Sequence, residues 1–241
     1  MWRDALLVAG KDLRLELRSR VVLNQVAPFA VLVLVLFAFA LDPARGVLAR
    51  AAPGLYWLAV LFAALLAIHR AFAVEAADAN RDALRLSGMD PAAIFLGKAL
   101  AVGAQLLALE ALLAVGVALL YDAEAQSLAL AGAACLAATL GLTAAGVIYG
   151  ALAAGLRVRE TLLPLLLLPA LSPVLIGATR AFEAALRFPP TVGLVGGAEA
   201  GGLDAGASPA EGWPWLGLLA VFAAVYAVIG ILAFGALLEE S

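Results

Sequence analysis

The sequence predicts an all-α polytopic membrane protein, with six transmembrane helices behind an N-terminal interfacial helix. Hydrophobic residues make up 65% of the 241-residue chain and charged residues only 14%, against about 45–50% and about 25% in soluble domains. Mean hydropathy is +1.05. The apolar residues gather into six runs, 21–41, 54–72, 92–121, 125–156, 161–179 and 214–238, and each has the ~20 residues needed to cross a bilayer core. Nearly all charges fall between the runs, so residues 1–241 read as a single transmembrane domain with no soluble domain and no internal repeat.

Residues 1–20 place Trp2, Leu6, Leu13 and Leu17 on one helical face, with Arg3, Lys11, Arg14 and Arg18 elsewhere. That is the pattern of a helix lying along the interface. The apolar run ahead of Ala38-Phe39-Ala40 is longer than the ~7–15 residues of a secretory h-region, so this end is expected to stay uncleaved.

The stretch from His69 to Lys98 is the longest charged one trapped between apolar runs, and its segment 73–91 closes with Ser87-Gly88-Met89-Asp90-Pro91. A glycine takes a left-handed cap without strain, Asp90 suits the N-cap, and Pro91 suits the first helical position, where no amide proton is needed. A short polar helix is therefore expected before Gly88 and a long apolar one from Pro91. The third and fourth runs meet at Tyr121-Asp122-Ala123-Glu124, short enough to predict a tight helical hairpin. Pro164, Pro169 and Pro173 predict that the fifth run is kinked or broken. A membrane tolerates this where neighbours satisfy the freed backbone groups. Beyond it, residues 181–213 are expected to hold a short amphipathic helix over 182–188 and then a Gly/Ala-rich flexible linker.

Six spans put both termini on one side. That side takes Arg3, Lys11, Arg14, Arg18, Arg20, Arg70, Arg81, Arg85, Lys98, Arg157 and Arg159, and the other takes Arg45, Arg50, Arg180 and Arg187. By the positive-inside rule, both termini and the segment 73–91 are expected in the cytoplasm.

No catalytic constellation is visible. A single histidine, His69, excludes paired-histidine metal motifs, and a single cysteine, Cys135, excludes an internal disulfide. His69 reads as an interfacial residue and Cys135 as a packing residue. Gly10-Lys11 and Gly97-Lys98 lack the Gly-x-x-x-x-Gly-Lys-Ser/Thr context that cradles phosphates, so ATP is expected only on a partner subunit. No metal, directly bound cofactor or nucleic acid is expected.

Within the spans, Glu110 is the one deep acid, with Gln105 a little over one turn earlier. A charge at that depth costs about 2.5–3.5 kcal/mol, so Glu110 is expected to face protein or water and to be functional or to bond a neighbouring helix. Gly146 and Gly150, together with small residues recurring every four positions from Ala129 to Ala145, predict close helix packing in the fourth run.

Several stretches carry a family resemblance: Lys11-Asp12-Leu13-Arg14-Leu15-Glu16-Leu17-Arg18, Leu48-Ala49-Arg50-Ala51-Ala52-Pro53-Gly54-Leu55-Tyr56-Trp57, Leu96-Gly97-Lys98, Gly150-Ala151-Leu152-Ala153-Ala154-Gly155-Leu156 and Leu168-Pro169-Ala170-Leu171-Ser172-Pro173-Val174-Leu175-Ile176. The layout resembles the ABC-2-type exporter permeases, and these stretches are similar to the haem exporter protein B family (CcmB). The resemblance implies a multi-pass permease subunit of the bacterial cytoplasmic membrane. It implies pairing with a separate ATPase subunit and a haem-handling C protein, as a homodimer or permease heteromer, in delivering haem for c-type cytochrome assembly. The alternatives are export of another amphiphile, such as a lipid or drug, and a non-transporting scaffold that couples an ATPase to a membrane assembly. Under the favoured reading the ATPase contact falls on the segment 73–91. There Arg81 and Arg85 share a helical face at i and i+4, Leu84 supplies an apolar anchor, and Asp78 and Asp82 lie alongside.

Overall fold

The computed structural model describes residues 1–20, 22–41, 47–76, 88–154, 159–187 and 208–240. They form α1 (Trp2–Ser19), a π-helical turn (Val22–Val26), α2 (Ala27–Ala40), α3 (Val47–Ala76), α4 (Pro91–Leu120), α5 (Leu128–Ala154), α6 (Arg159–Ala185) and α7 (Pro209–Glu240). Two-residue strands, β1 (Glu124–Ala125) and β2 (Leu186–Arg187), pair antiparallel. Helices α3 to α7 are each long and apolar enough to cross a membrane, and α1 with α2 makes a sixth span only as a pair bent by 54°. Among the described residues the fold is an all-α polytopic membrane bundle with five or six spanning helices.

The first run departs from the expected single span over 21–41. Arg20 turns left-handed at the end of α1 (φ 51°), a π turn carrying exposed Asn24 and Gln25 follows, and it leads directly into α2, which has Pro28 in its first turn. Proline is welcome there because the first amides of a helix have no partner inside it. The helical arm from Asn24 to Ala40 reaches about 25 Å at about 1.5 Å per residue, short of the ~30 Å bilayer core.

Local chemistry sets the other boundaries. Gly88 has φ +67°, and the Asp90 side chain accepts a hydrogen bond from the Ala92 amide at 2.9 Å, capping α4 as its sequence predicts. The Ser127 hydroxyl accepts from the Leu130 amide at 3.3 Å and starts α5. Helix α7 begins at Pro209 instead of 214, where the Glu211 carboxylate reaches back to accept from the Ser208 amide (3.4 Å) and hydroxyl (3.2 Å).

The prolines do not break α6, which runs continuously through Pro164, Pro169 and Pro173. Pro173 leaves the Pro169 carbonyl without an amide donor, and the Ser172 hydroxyl supplies one at 2.8 Å. At the next carbonyl, Ala170 accepts from the Tyr226 hydroxyl of α7 at 2.6 Å. Helix α6 also absorbs residues 181–185, and Leu186–Arg187 are β2, so among the described residues no separate helix stands where one is expected over 182–188. Glu124 pairs with Arg187 and Ala125 with Leu186, fastening the α4–α5 hairpin to the end of α6.

Helix α5 is the hub, packing against α3, α4, α6 and α7. Leu130, Ala134, Ala138 and Leu142 on it are wholly buried. A Cβ at Gly141 would lie 3.3 Å from Val174 of α6, and Cβ atoms at Gly146 and Gly150 would overlap Ile68 and Phe72 of α3. Small residues let these helices approach to packing distance, where dispersion takes over. Phe95 of α4 packs on Phe234 of α7 at 5.6 Å and fills the space left by Gly230. The end of α7 and the start of α4, on which α1 sits, therefore occupy one end of the bundle.

Candidate functional site

Two polar assemblies interrupt this apolar bundle. The first lies where α1 crosses the end of α3 and the start of α4. Ala5, Val8 and Ala9 form the buried face of α1, and a Cβ on Gly97 would meet the Val8 Cβ at 2.6 Å and the Ala5 carbonyl oxygen at 2.7 Å. Glycine at 97 is thus what allows α1 to lie against α4. One residue further, the Lys98 side chain is buried, with Nζ 3.6 Å from Asp12 Oδ2 and 5.1 Å from the centre of the Phe72 ring. Lys11 Nζ reaches the other Asp12 oxygen at 3.1 Å. One helical turn on, Arg70 Nε donates to Glu16 Oε2 at 3.2 Å. A buried ammonium is tolerated only with a countercharge and a polarisable partner, and here Asp12 and Phe72 supply them.

The second assembly is inside the membrane, about 15 Å from the Leu120 end of α4 at 1.5 Å per residue. Glu110 is 2% exposed. Its Oε1 accepts from the Thr139 hydroxyl of α5 at 2.5 Å, and its backbone carbonyl accepts from the Tyr56 hydroxyl of α3 at 3.0 Å. Tyr56 also lies 3.6 Å from Cys135 Sγ. Glu110 Oε2 is buried with no hydrogen-bond partner, as is Nε1 of Trp57. Tyr56 stacks on Phe182 of α6 with ring centres 4.3 Å apart, and Trp57 meets the same ring edge-on. One carboxyl side chain and one tyrosine therefore join four helices. Gln105 is half-buried, about 140° around the helix from Glu110, and no hydrogen bond joins the two.

Of the residues singled out in the sequence, Glu110 lies at the centre of a polar cluster. Gly146 and Gly150, on α5, pack against Ile68 and Phe72 of α3, and Pro169 and Pro173 flank Ala170, whose carbonyl accepts from Tyr226 of α7. Asp78, Arg81, Asp82, Leu84 and Arg85 fall outside the described residues. Their flanks, the end of α3 and the start of α4, are the two helices that α1 holds together.

Asp12, Lys98, Tyr56 and Thr139 were missed as site residues. Asp12 and Lys98 stood in the sequence inside two of the stretches that carried the resemblance, and the structure joins those stretches. The motif ending in Trp57 is buried along one face through Leu48, Ala52 and Tyr56, a four-residue spacing that signals a packed helix. His69 Nε2 is buried without a hydrogen-bond partner. Among the described residues, no group of three or more His, Cys, Asp or Glu side chains is placed to hold a metal ion.

Residues 3–193 match the family model described as CcmB protein. The chain is similar to a protein named heme exporter protein B from Rhodobacter capsulatus, 34% identical over 171 residues that cover 69% of this chain and 77% of the relative. Relatives of the same name from Haemophilus influenzae and Pseudomonas aeruginosa are 32% and 31% identical, covering 74% and 78% of this chain and 80% and 84% of their own lengths. The matched region takes in both polar assemblies, and the chain belongs to the CcmB protein family.

Proposed function

We propose that this chain is the membrane permease subunit of an ABC-type haem exporter acting in c-type cytochrome biogenesis. It is a multi-pass protein of the bacterial inner membrane, a transporter subunit and not an enzyme. A separate ATPase binds and hydrolyses ATP, and a haem-handling C protein works alongside. Both termini and the segment 73–91 face the cytoplasm, as the eleven-to-four division of Lys and Arg supports.

The observation that carries the coupling is the junction of α1 with α3 and α4. Two ion pairs and the glycine contact join α1 to both helices that lead into the segment 73–91. A force applied to Asp78, Arg81, Asp82, Leu84 and Arg85 by an ATPase thus enters three helices together. From the start of α4 it runs along one rigid rod to Glu110, and the Tyr56 and Thr139 bonds pass it to α3 and α5.

Deletion of the gene followed by a haem stain for c-type cytochromes tests the reading, and the stained bands are expected to vanish and to return with the gene. Bands of normal intensity in the deletion strain refute it. Loss of an ATPase-dependent lipid or drug efflux with cytochromes intact would favour the other-amphiphile reading, and ATPase stimulation without any flux would favour the scaffold.

A further inference from the structure

Helix α1 segregates its charges by face. Its acids Asp12 and Glu16 turn inward, to Lys98 and Arg70, and Asp4 binds the N-terminal amine at 2.9 Å. Arg3, Arg14 and Arg18 all point outward and are exposed, and among the described residues none of the three has an ion-pair or hydrogen-bond partner. Their spacing of i, i+11 and i+15 puts them in one row along the helix, with Leu7 between. Beside this row runs a second, formed by Trp2, Leu6 and Leu17, which are 66%, 62% and 69% exposed. The third side of the helix is the packed one, through Ala5, Val8 and Ala9.

A helix fixed to membrane-spanning rods on one side, apolar on the next and basic on the third lies with its apolar row in the acyl boundary and its basic row at headgroup depth. Fixation by Gly97 and the two ion pairs removes most of the orientational freedom that a loose amphipathic helix would lose on binding. We propose that Arg3, Arg14 and Arg18 form a binding surface for the phosphate groups of anionic phospholipids. Guanidinium groups suit this because they bind phosphate oxygens in a bidentate manner. The inference rests on the membrane-spanning fold alone and is independent of what the permease carries.

The test uses the full-length chain, purified in detergent, offered an equimolar mixture of phosphatidylglycerol and phosphatidylcholine, and analysed by native mass spectrometry for retained lipid. Each arginine near an anionic surface contributes a factor of about five, so wild type should retain phosphatidylglycerol over phosphatidylcholine by at least about tenfold. The R3Q/R14Q/R18Q variant should fall to a ratio of about one, with unchanged elution and thermal stability in phosphatidylcholine. R3K/R14K/R18K, which keeps the charge, should retain most of the preference, and R180Q, on the opposite side, all of it. Absence of a preference in wild type overturns the proposal. So does an undiminished preference in the glutamine variant, and if that variant also fails to copurify an ATPase, the face belongs to a protein partner.

Discussion

Replacing Asp12 with Asn removes one charge from the junction of α1, α3 and α4 while keeping the side-chain volume. At the observed 3.6 Å, a unit-charge pair at an effective dielectric of about 20 is worth roughly 4–5 kcal/mol before desolvation. Breaking a buried pair by removing one partner costs about 3–5 kcal/mol. The lower end applies here, since the Asp12 side chain is 16% exposed and Lys98 keeps the Phe72 ring. About 3 kcal/mol in a chain of this size lowers Tm by roughly 6–12 °C. The companion variant, Asp12→Leu with Lys98→Met, replaces both charges by apolar groups and should stay within about 1 kcal/mol of wild type. Tm in detergent is measured for wild type, Asp12→Asn, Lys98→Met and the apolar double variant, together with trypsin cleavage at Arg14 and Arg18, which reports whether α1 has lifted off. An Asp12→Asn protein with wild-type Tm and cleavage rate, or a double variant worse than the more damaging single, refutes the reasoning.

Gly97→Ala should displace α1 and cost about 1–3 kcal/mol by overpacking, and adding Val8→Ala should not restore Tm, because the Ala5 carbonyl 2.7 Å from the new Cβ remains; rescue by that second change would show the contact to be soft. Glu110→Gln keeps an acceptor for Thr139 and should support cytochrome maturation. Glu110→Leu should lower maturation while costing at most about 0.6–1.7 kcal/mol, the range for hydrogen bonds between membrane helices, and wild-type maturation with Leu would make the carboxyl incidental. Arg81→Glu with Arg85→Glu should leave the protein in the membrane but abolish ATPase copurification, and retention of the ATPase removes 73–91 as the coupling element. In a Cys135→Ala background, Arg81→Cys should resist an impermeant thiol reagent in intact cells while Gly201→Cys is labelled; the reverse pattern inverts the topology.

What the sequence revealed depended on range. The Gly88, Asp90 and Pro91 cap is local, its partners lying within a few residues, and it could be read directly. The Ser208 and Glu211 contact was equally local, but the apolar run drew the boundary to 214 instead. Asn24 and Gln25 likewise stood in the sequence where the first run turns π-helical after the bend, against a hydropathy that averages over single residues. Glu110 stood out because an acid in a span is costly, whereas Thr139, 29 residues away, is an ordinary residue in an apolar helix until a fold brings it near. Asp12 with Lys98 and Tyr56 with Glu110 are pairings of the same kind, invisible to periodicity because they are set by how α1, α3 and α4 cross. The prolines of α6 leave the helix unbroken, and the group that serves the Ala170 carbonyl between two of them, Tyr226, is on a different helix and equally out of reach of local pattern.

The junction of α1 also sets an order of events during synthesis. Asp12 leaves the ribosome 86 residues before Lys98, a delay of roughly 4–17 s at about 5–20 residues per second. Until then the first helix can pair only with Arg70 of α3 through Glu16 and lacks its packing seat on α4, so it waits at the membrane surface, held by Trp2, Leu6 and Leu17. Only when α4 arrives do Gly97 and Lys98 offer it a seat, and Lys98 gains its countercharge at the same moment. Helix α1 therefore settles only together with α4, and a nascent chain halted before residue 98 should leave it open to protease.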